Sequence, residues 1–143
     1  MSLTPQQVEK EINNIDKKTD LDLIKDFYNW RLPVNARQKQ IAPSGNWTNW
    51  LILAGRGFGK TRTGAEWIRE RVETGEAKRI AIVGKTPADV RDVMIEGESG
   101  IITISPPWNK PDYQPSRRRL VWKNGSVAHI FSSYEPDQLR GPH

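Results

Sequence analysis

The sequence predicts an α/β domain with a mostly parallel central sheet, a helical N-terminus and a β-hairpin insertion. Three observations support this prediction. Short apolar runs at 50–54 and 80–83 are typical of buried strands, and a stretch of helical composition follows each of them. The order strand, helix, strand, helix is that of a parallel sheet with crossover helices. The helical segment is assigned to residues 1–30 and the α/β domain to residues 31–143.

Two helices are predicted in the N-terminal segment. Thr4 has the position of an N-cap for a helix over 5–18, with Pro5 in the first turn and Gln7 reaching back to the cap. A second helix over 21–30 carries four apolar or aromatic side chains, which are Leu21, Ile24, Phe27 and Tyr28.

Further elements are predicted after the second apolar run. Thr86 opens a helix that ends at Gly97, and its inner face is expected to carry Val90, Val93 and Met94. Later, Asn124-Gly125 separates two β-rich runs, and both residues tolerate positive φ. This pattern predicts a β-hairpin.

The composition narrows the class of protein. The 143 residues suffice for one domain, and no segment approaches the eighteen unbroken apolar residues that a membrane span needs. There is no cysteine for a disulfide, and two histidines are too few for a zinc cluster. The net charge of +5 is the sum of −2 over residues 1–30 and +7 over 31–143. This cationic part favours an anionic partner such as a nucleotide or nucleic acid.

The segment 54–61, AGRGFGKT, matches the phosphate-binding Walker A pattern G-x-x-x-x-G-K-[ST], except that Ala54 replaces the first glycine. Glycines let successive backbone N–H groups converge on phosphate oxygens, and the following helix points its positive end at the same place. Lys60 supplies a cation for the β- and γ-phosphates. The Thr61 hydroxyl is an oxygen ligand suited to Mg²⁺. The alternative is an ordinary glycine-rich turn between a strand and a helix.

Two arginine assignments stay open at this point. Arg56, inside the loop, either reaches the γ-phosphate, is solvated, or pairs with Glu66. The run 117–119 contains three arginines, which either contact DNA phosphates or form a solvated strand edge.

Several sequence segments, taken together, resemble the large terminase subunit of tailed phages and prophages. Trp47-x-x-Trp50 runs into LILAGRGFGKTRTGAEW, followed by IAIVGKTPADVRDVMIEGESG, PSRRRLVWKNG and SSYEPDQLRG, so that the resemblance covers about residues 30–143. It implies the N-terminal part of an ATPase domain of the additional-strand class of P-loop NTPases. It also implies ATP and Mg²⁺ as cofactors.

The resemblance implies roles for individual residues. Gln40 matches the glutamine that reads adenine, assisted by Arg37, although a slip in the alignment would exchange Gln40 with Gln38. Arg140 matches an arginine inserted into a neighbouring subunit's site, and its alternatives are a helix cap and a DNA contact. Lys60, Arg56 and Arg140 are the implied catalytic residues, and Thr61 is the implied metal ligand. The implied nucleotide-binding set is Gly55, Arg56, Gly57, Phe58, Gly59, Lys60, Thr61, Arg62, Gln40 and Arg37.

The resemblance further implies a homo-oligomeric ring on the portal protein, working with the small terminase subunit. This ring would pump double-stranded DNA into a procapsid in the host cytoplasm. The alternatives are another P-loop enzyme, such as a helicase-like translocase, and a fragment serving only assembly. The sequence lacks the apolar strand ending in Asp-Glu that the family uses for hydrolysis. We therefore expect a piece of a longer protein that binds nucleotide weakly and scarcely hydrolyses it.

Overall fold

The structure, a computed structural model, describes residues 4–16 and 20–133. The chain divides into two compact units, Met1–Ala36 and Arg37–His143.

The first unit contains two helices, α1 (Pro5–Asp16) and α2 (Asp20–Phe27). The predicted cap of α1 is confirmed: the Thr4 N–H donates to Gln7 Oε1 at 2.9 Å, and the Gln7 N–H donates to Thr4 Oγ1 at 3.3 Å. The last carbonyls of a helix have no partner inside it. The Asn35 amide satisfies part of this need after α2, because its Nδ2 donates to the carbonyls of Asp26 at 3.0 Å and Asn29 at 2.6 Å.

The second unit is an α/β unit in which helices alternate with a small sheet. Its helices are α3 (Lys60–Glu73), α4 (Pro87–Asp89), which continues as a π-helical segment Val90–Ile95, and α5 (Ile101–Ile104). Single 3₁₀ turns lie at Gln38–Gln40, Pro107–Asn109 and Pro115–Arg117. The strands are β1 (Arg79–Gly84), β2 (Asp112–Gln114), β3 (Arg119–Val121) and β4 (Val127–Ser132).

The sheet is mixed, with the strand order β1-β4-β3-β2. Among the described strands, β1 and β4 pair in parallel, whereas β4–β3 and β3–β2 are antiparallel. The prediction of a mostly parallel sheet is therefore wrong. The physical reason is the length of the connections: short turns join β2 to β3 and β3 to β4, and short turns can connect only antiparallel strands.

The predicted hairpin is confirmed as β3 and β4. Its turn is closed by the Gly125 N–H, which donates to the Trp122 carbonyl at 3.0 Å, and by the Trp122 N–H, which donates to the Ser126 carbonyl at 2.9 Å. Gly125 has a φ of 90°, whereas Asn124 does not adopt a positive φ. The turn therefore needs one left-handed residue, as in a hairpin loop with a glycine bulge, rather than two. The Asn124 side chain donates instead to the Val72 carbonyl at 2.9 Å and ties the turn to α3.

The apolar core lies on one face of the sheet, against α3, α5 and the π-helical segment. Its buried members are Ala65, Val72, Ile82, Val90, Ile95, Ile101, Ile104, Leu120, Trp122 and Ala128. Strand β1 contributes Ile82 to this core, while Val83, on the other face, is 45% exposed. The strand predicted at 80–83 is confirmed as β1, but it is not buried along its length, because burial alternates along β1.

The apolar run 50–54 does not form a strand. Leu51 is 77% exposed and Leu53 is 86% exposed. A strand needs a neighbour to accept its backbone hydrogen bonds. Within residues 4–16 and 20–133, the sheet ends at β1 and nothing pairs with this run. The prediction of a buried strand before the glycine-rich loop is therefore wrong.

The helix predicted after Thr86 is present, and its cap is confirmed because the Asp89 N–H donates to Thr86 Oγ1 at 3.0 Å. After Asp89 the helix widens to π geometry, which shifts the residues that face the core. Val90 and Ile95 are fully buried, while Val93 is 48% exposed. The prediction that Val93 belongs to the inner face is wrong for this reason.

Candidate functional site

The glycine-rich loop 54–59 leads directly into α3. Gly57 and Gly59 have φ values of 84° and 87°, in the left-handed region that glycine adopts without a steric penalty. The Phe58 N–H donates to the Gly55 carbonyl at 3.4 Å, which folds the loop into a turn. Lys60 is the first residue of α3, and its Nζ donates to the Ala54 carbonyl at 2.6 Å. The lysine side chain therefore spans the loop from its end to its beginning.

Gln40 holds this loop from a distant part of the sequence. Its Nε2 donates to the Phe58 carbonyl at 2.5 Å, and its Oε1 accepts from the Arg37 N–H at 2.8 Å. Gln40 is 8% exposed, whereas Gln38 is exposed. A Cβ atom added to Gly59 would lie only 2.9 Å from Gln40 Nε2. Glycine at position 59 thus serves both the left-handed φ and the close approach of Gln40.

A chain of alternating charges runs along α3 behind the loop. Arg62 Nε donates to Glu66 Oε1 at 2.9 Å, and Arg69 donates to Glu66 Oε2 at 3.0 Å and to Glu73 Oε1 at 2.8 Å. The Glu66 side chain is only 2% exposed. Burial raises the pKa of the Glu66 carboxyl above its usual value of 4.5, and the nearby charges of Arg69 and Arg62 lower it by less.

This network of ion pairs decides one of the alternatives left open for Arg56. Glu66 pairs with Arg62 and Arg69, so the pairing considered for Arg56 is wrong. Arg56 itself is exposed, on the loop between Gly55 and Gly57.

The structure brings most of the predicted nucleotide-binding residues to one place. Loop residues 55–59 join Lys60, Thr61 and Arg62 at the start of α3, and Gln40 contacts the loop through Phe58. Arg37 is connected only through its backbone N–H, which donates to Gln40, and it is exposed. Thr61 is half-buried. Arg140 lies outside the described residues.

Three tryptophans gather where the run before the loop meets α3. The ring centroids of Trp47 and Trp50 are 6.1 Å apart, and those of Trp47 and Trp67 are 6.4 Å apart. The Arg71 guanidinium carbon lies 5.3 Å from the Trp67 ring centroid, a cation–π distance. These contacts hold the segment before the loop against the helix after it.

A second concave site was not foreseen from the sequence. It lies at the carboxyl end of β4 and is lined in part by Arg91, Tyr113, Arg118 and Ser132. The run of arginines at 117–119 was the one sequence signal near it. Nothing in the local sequence indicates that Arg91 and Ser132 lie beside Arg118, because the sheet pairing brings them together.

In the part of the chain that the structure describes, there is no helix of the length and apolar character needed to cross a bilayer.

Comparison with known proteins gives one family. The family described as "Terminase large subunit, T4likevirus-type, N-terminal" matches residues 51–143. No curated protein and no solved structure matches the chain. The matched range begins just before the glycine-rich loop and includes α3 and the whole sheet. The chain belongs to this family of large terminase subunits and has a role in phage DNA packaging.

Proposed function

We propose that residues 54–61 bind the polyphosphate of ATP together with Mg²⁺. Within the packaging machinery, this binding would drive ATP hydrolysis coupled to translocation of double-stranded DNA into a procapsid. The observation that supports the proposal best is the closure of the loop. Lys60 Nζ lies 2.6 Å from the Ala54 carbonyl oxygen, with left-handed Gly57 and Gly59 between them. A cation and the backbone N–H groups of a tight turn are thereby collected within one short loop.

The chemistry of the loop fits a polyphosphate. Lys60 is exposed, and its ammonium would exchange the Ala54 carbonyl for phosphate oxygens, which are stronger acceptors because they carry charge. Helix α3 has 14 residues and begins at Lys60, so the positive end of its dipole adds to the same attraction. Arg56 is exposed within the loop and would add a second cation near the γ-phosphate.

The residues also fit Mg²⁺ bound with a nucleotide. No cluster of three His, Cys, Asp or Glu side chains suited to a metal ion exists within residues 4–16 and 20–133. Mg²⁺ commonly takes one or two protein oxygens and completes its shell with water and substrate phosphates. Thr61 directly follows Lys60 and would supply that protein oxygen, so the ion would arrive with ATP rather than alone.

Hydrolysis and transport belong to the proposal for the packaging machinery as a whole. The chain contains no adjacent Asp-Glu pair to order the attacking water, so we expect the chain itself to bind ATP with little turnover. The ring on the portal, the small terminase subunit and the action of Arg140 on a neighbouring subunit are proposed from the family resemblance.

The test is a calorimetric titration of the chain with ATP·Mg²⁺. We expect Lys60→Ala to weaken binding at least about tenfold, since it removes a charge-assisted hydrogen bond. Lys123→Ala is the matched control, because Lys123 is an exposed lysine in the hairpin turn. Equal affinities of the wild type and Lys60→Ala would contradict nucleotide binding at this loop.

A further inference from the structure

The second concave site is formed by residues of β2 and β4, of the turn before β3 and of the π-helical segment. Its volume is about 180 Å³. Pockets that enclose whole small molecules usually measure roughly 300–1,000 Å³, so this one is too small to enclose a complete nucleotide. At about 30 Å³ for each water molecule, the space corresponds to roughly six waters, which suits a single phosphate group.

The polar lining is suited to an anion. Arg91 and Arg118 bring two guanidinium groups, and Tyr113 brings a phenol. Guanidinium groups bind phosphate oxygens through paired, charge-assisted hydrogen bonds. Burial, and after it the charge of Glu96, raise the pKa of Tyr113 above 10.0, so the phenol remains a hydrogen-bond donor at neutral pH.

The charged groups around Arg91 leave its guanidinium accessible to a phosphate at the surface. Arg91 Nε donates to Asp92 Oδ1 at 2.8 Å, and both side chains are more than half exposed. Exposed pairs of this kind contribute little to stability, so a phosphate can compete with Asp92 for the guanidinium.

Ser132 provides an independent observation. It lines the same pocket and is 2% exposed, and its hydroxyl has no hydrogen-bond partner among the described residues. A buried hydroxyl without a partner is costly, and native proteins rarely leave one without a reason. A serine has one side-chain torsion to adjust before its hydroxyl donates to a ligand in the pocket.

The strained backbone of Arg118 supports the same assignment. Arg118 has a φ of 50°, which an L-residue with a long side chain rarely adopts. Its N–H donates to the Pro115 carbonyl at 3.1 Å, and its carbonyl accepts from the Ile130 N–H at 2.9 Å. The backbone on both sides of Arg118 is thus held in place, and the side chain begins at the rim of the pocket.

We propose that Arg91, Tyr113, Arg118 and Ser132 bind one phosphate of the DNA backbone. The site would hold the duplex without reading its sequence, because phosphate contacts carry no direct base information. The proposal rests on the role in DNA packaging and not on nucleotide binding at the loop 54–61. The two sites can therefore succeed or fail separately.

The experiment measures binding of a short fluorescent duplex to the full chain by anisotropy over a series of salt concentrations. We expect Arg91→Gln and Arg118→Gln each to weaken binding and to reduce the slope of log K against log salt by about 1. Arg117→Gln is the matched control, because Arg117 is an exposed arginine beside Arg118 that does not line the pocket. It should leave the slope unchanged.

Ser132→Ala distinguishes a specific phosphate-binding site from nonspecific electrostatic attraction of DNA to positive charge. It changes no charge, so we expect an unchanged salt slope but about tenfold weaker binding, owing to the lost hydrogen bond to a charged oxygen. Because the hydroxyl lacks a partner among the described residues, its removal should leave the Tm unchanged or raise it. Tyr113→Phe should weaken binding several-fold with the Tm retained.

Further arms identify the source of the phosphate. Lys60→Ala should bind the duplex as the wild type does, and Ser132→Ala should bind ATP·Mg²⁺ as the wild type does. Inorganic phosphate should displace the duplex only at concentrations far above that of the duplex phosphates. The proposal is overturned if the wild type does not bind the duplex, or if Ser132→Ala binds it normally. It is also overturned if Arg117→Gln weakens duplex binding as much as Arg118→Gln does. The same holds if Ser132→Ala weakens ATP·Mg²⁺ binding as much as duplex binding, or if free phosphate displaces the labelled duplex as well as DNA does.

Discussion

At the scale of single residues, the contact between Gln40 and the loop has the most consequences. Gln40 lies 18 residues before Phe58, yet its amide donates to the Phe58 carbonyl and occupies the space beside Gly59. Its Oε1 is engaged by the Arg37 N–H as well. An amide has two N–H groups on Nε2 and two lone pairs on Oε1, so pairing with an adenine edge would use the second N–H and the second lone pair of the same amide.

This contact predicts different effects for two glycine substitutions. Both Gly57→Ala and Gly59→Ala place alanine in the left-handed region, at a cost of about 1–2 kcal/mol. Gly59→Ala also pushes on Gln40 Nε2, whereas nothing lies within 4 Å of a Cβ at Gly57. We expect Gly59→Ala to lower the free energy of unfolding more, by about 1 kcal/mol beyond Gly57→Ala, since the Gln40–Phe58 hydrogen bond is disturbed.

Denaturant unfolding of the two variants measures this difference, and a third substitution controls it. In a Gln40→Ala background, the Gly59 and Gly57 substitutions should cost the same, because the contact is then absent. A difference that persists without Gln40 would show that the contact is not its cause.

At the scale of elements, α3 joins the loop to the core through a buried charge. Glu66 lies between Arg62 and Arg69, on the helix that begins with Lys60. Removing one member of a buried ion pair leaves the other charge uncompensated. The helix is therefore sensitive to charge at position 66 and tolerant at its exposed end.

We expect Glu66→Ala to lower the free energy of unfolding by less than the about 3–5 kcal/mol of a fully uncompensated buried charge, because Arg69, only 9% exposed, loses its buried partner but keeps Glu73. Glu73→Ala, at the other end of the same network, should cost less than about 1 kcal/mol, since Glu73 is 35% exposed. Both values follow from urea titrations followed by circular dichroism. Equal costs for the two glutamates would contradict the structural role of burial at Glu66.

The hairpin shows how an element can be predicted while its details are not. The Asn-Gly signal correctly indicates the turn between β3 and β4, because some residue there must adopt a positive φ. The structure uses only Gly125 for that purpose. Asn124 instead bonds to the Val72 carbonyl at the end of α3, a long-range contact that local sequence does not encode.

At the scale of the whole molecule, the described helices of the second unit pack on one face of its sheet. The buried core residues lie on that face, whereas Val83 on the other face is 45% exposed. The apolar run 50–54 also remains outside the sheet. Exposed apolar segments without a neighbouring strand are places where other chains can pair or pack.

Two matched leucine substitutions test this arrangement. Leu53 is 86% exposed, so Leu53→Ala should change the free energy of unfolding by no more than about 0.5 kcal/mol. Leu120 is fully buried in β3, so Leu120→Ala should cost about 2–5 kcal/mol. Unfolding curves of the two variants provide the comparison. A loss of several kcal/mol in Leu53→Ala would mean that the run is a buried strand after all.

The sequence by itself determined the features that depend on local chemistry. These include the cap at Thr4, the cap at Thr86, the left-handed glycines of the loop and the start of α3 directly after them. Each is decided by residues a few positions apart, through backbone sterics and short-range hydrogen bonds. The resemblance to the large terminase subunit likewise rests on contiguous sequence segments, and the family match over 51–143 confirms it.

Only the tertiary structure decided which side chains meet across the sheet and which apolar runs are buried. Leu53 and Leu120 both lie in short apolar runs, but β4 and β2 flank Leu120 while no described strand flanks Leu53. Ser132 lines the same pocket as Arg118 because β4 pairs with β3 in the sheet. The physical reason is that burial and long-range contact depend on the neighbours that the fold supplies, and a local pattern cannot specify them.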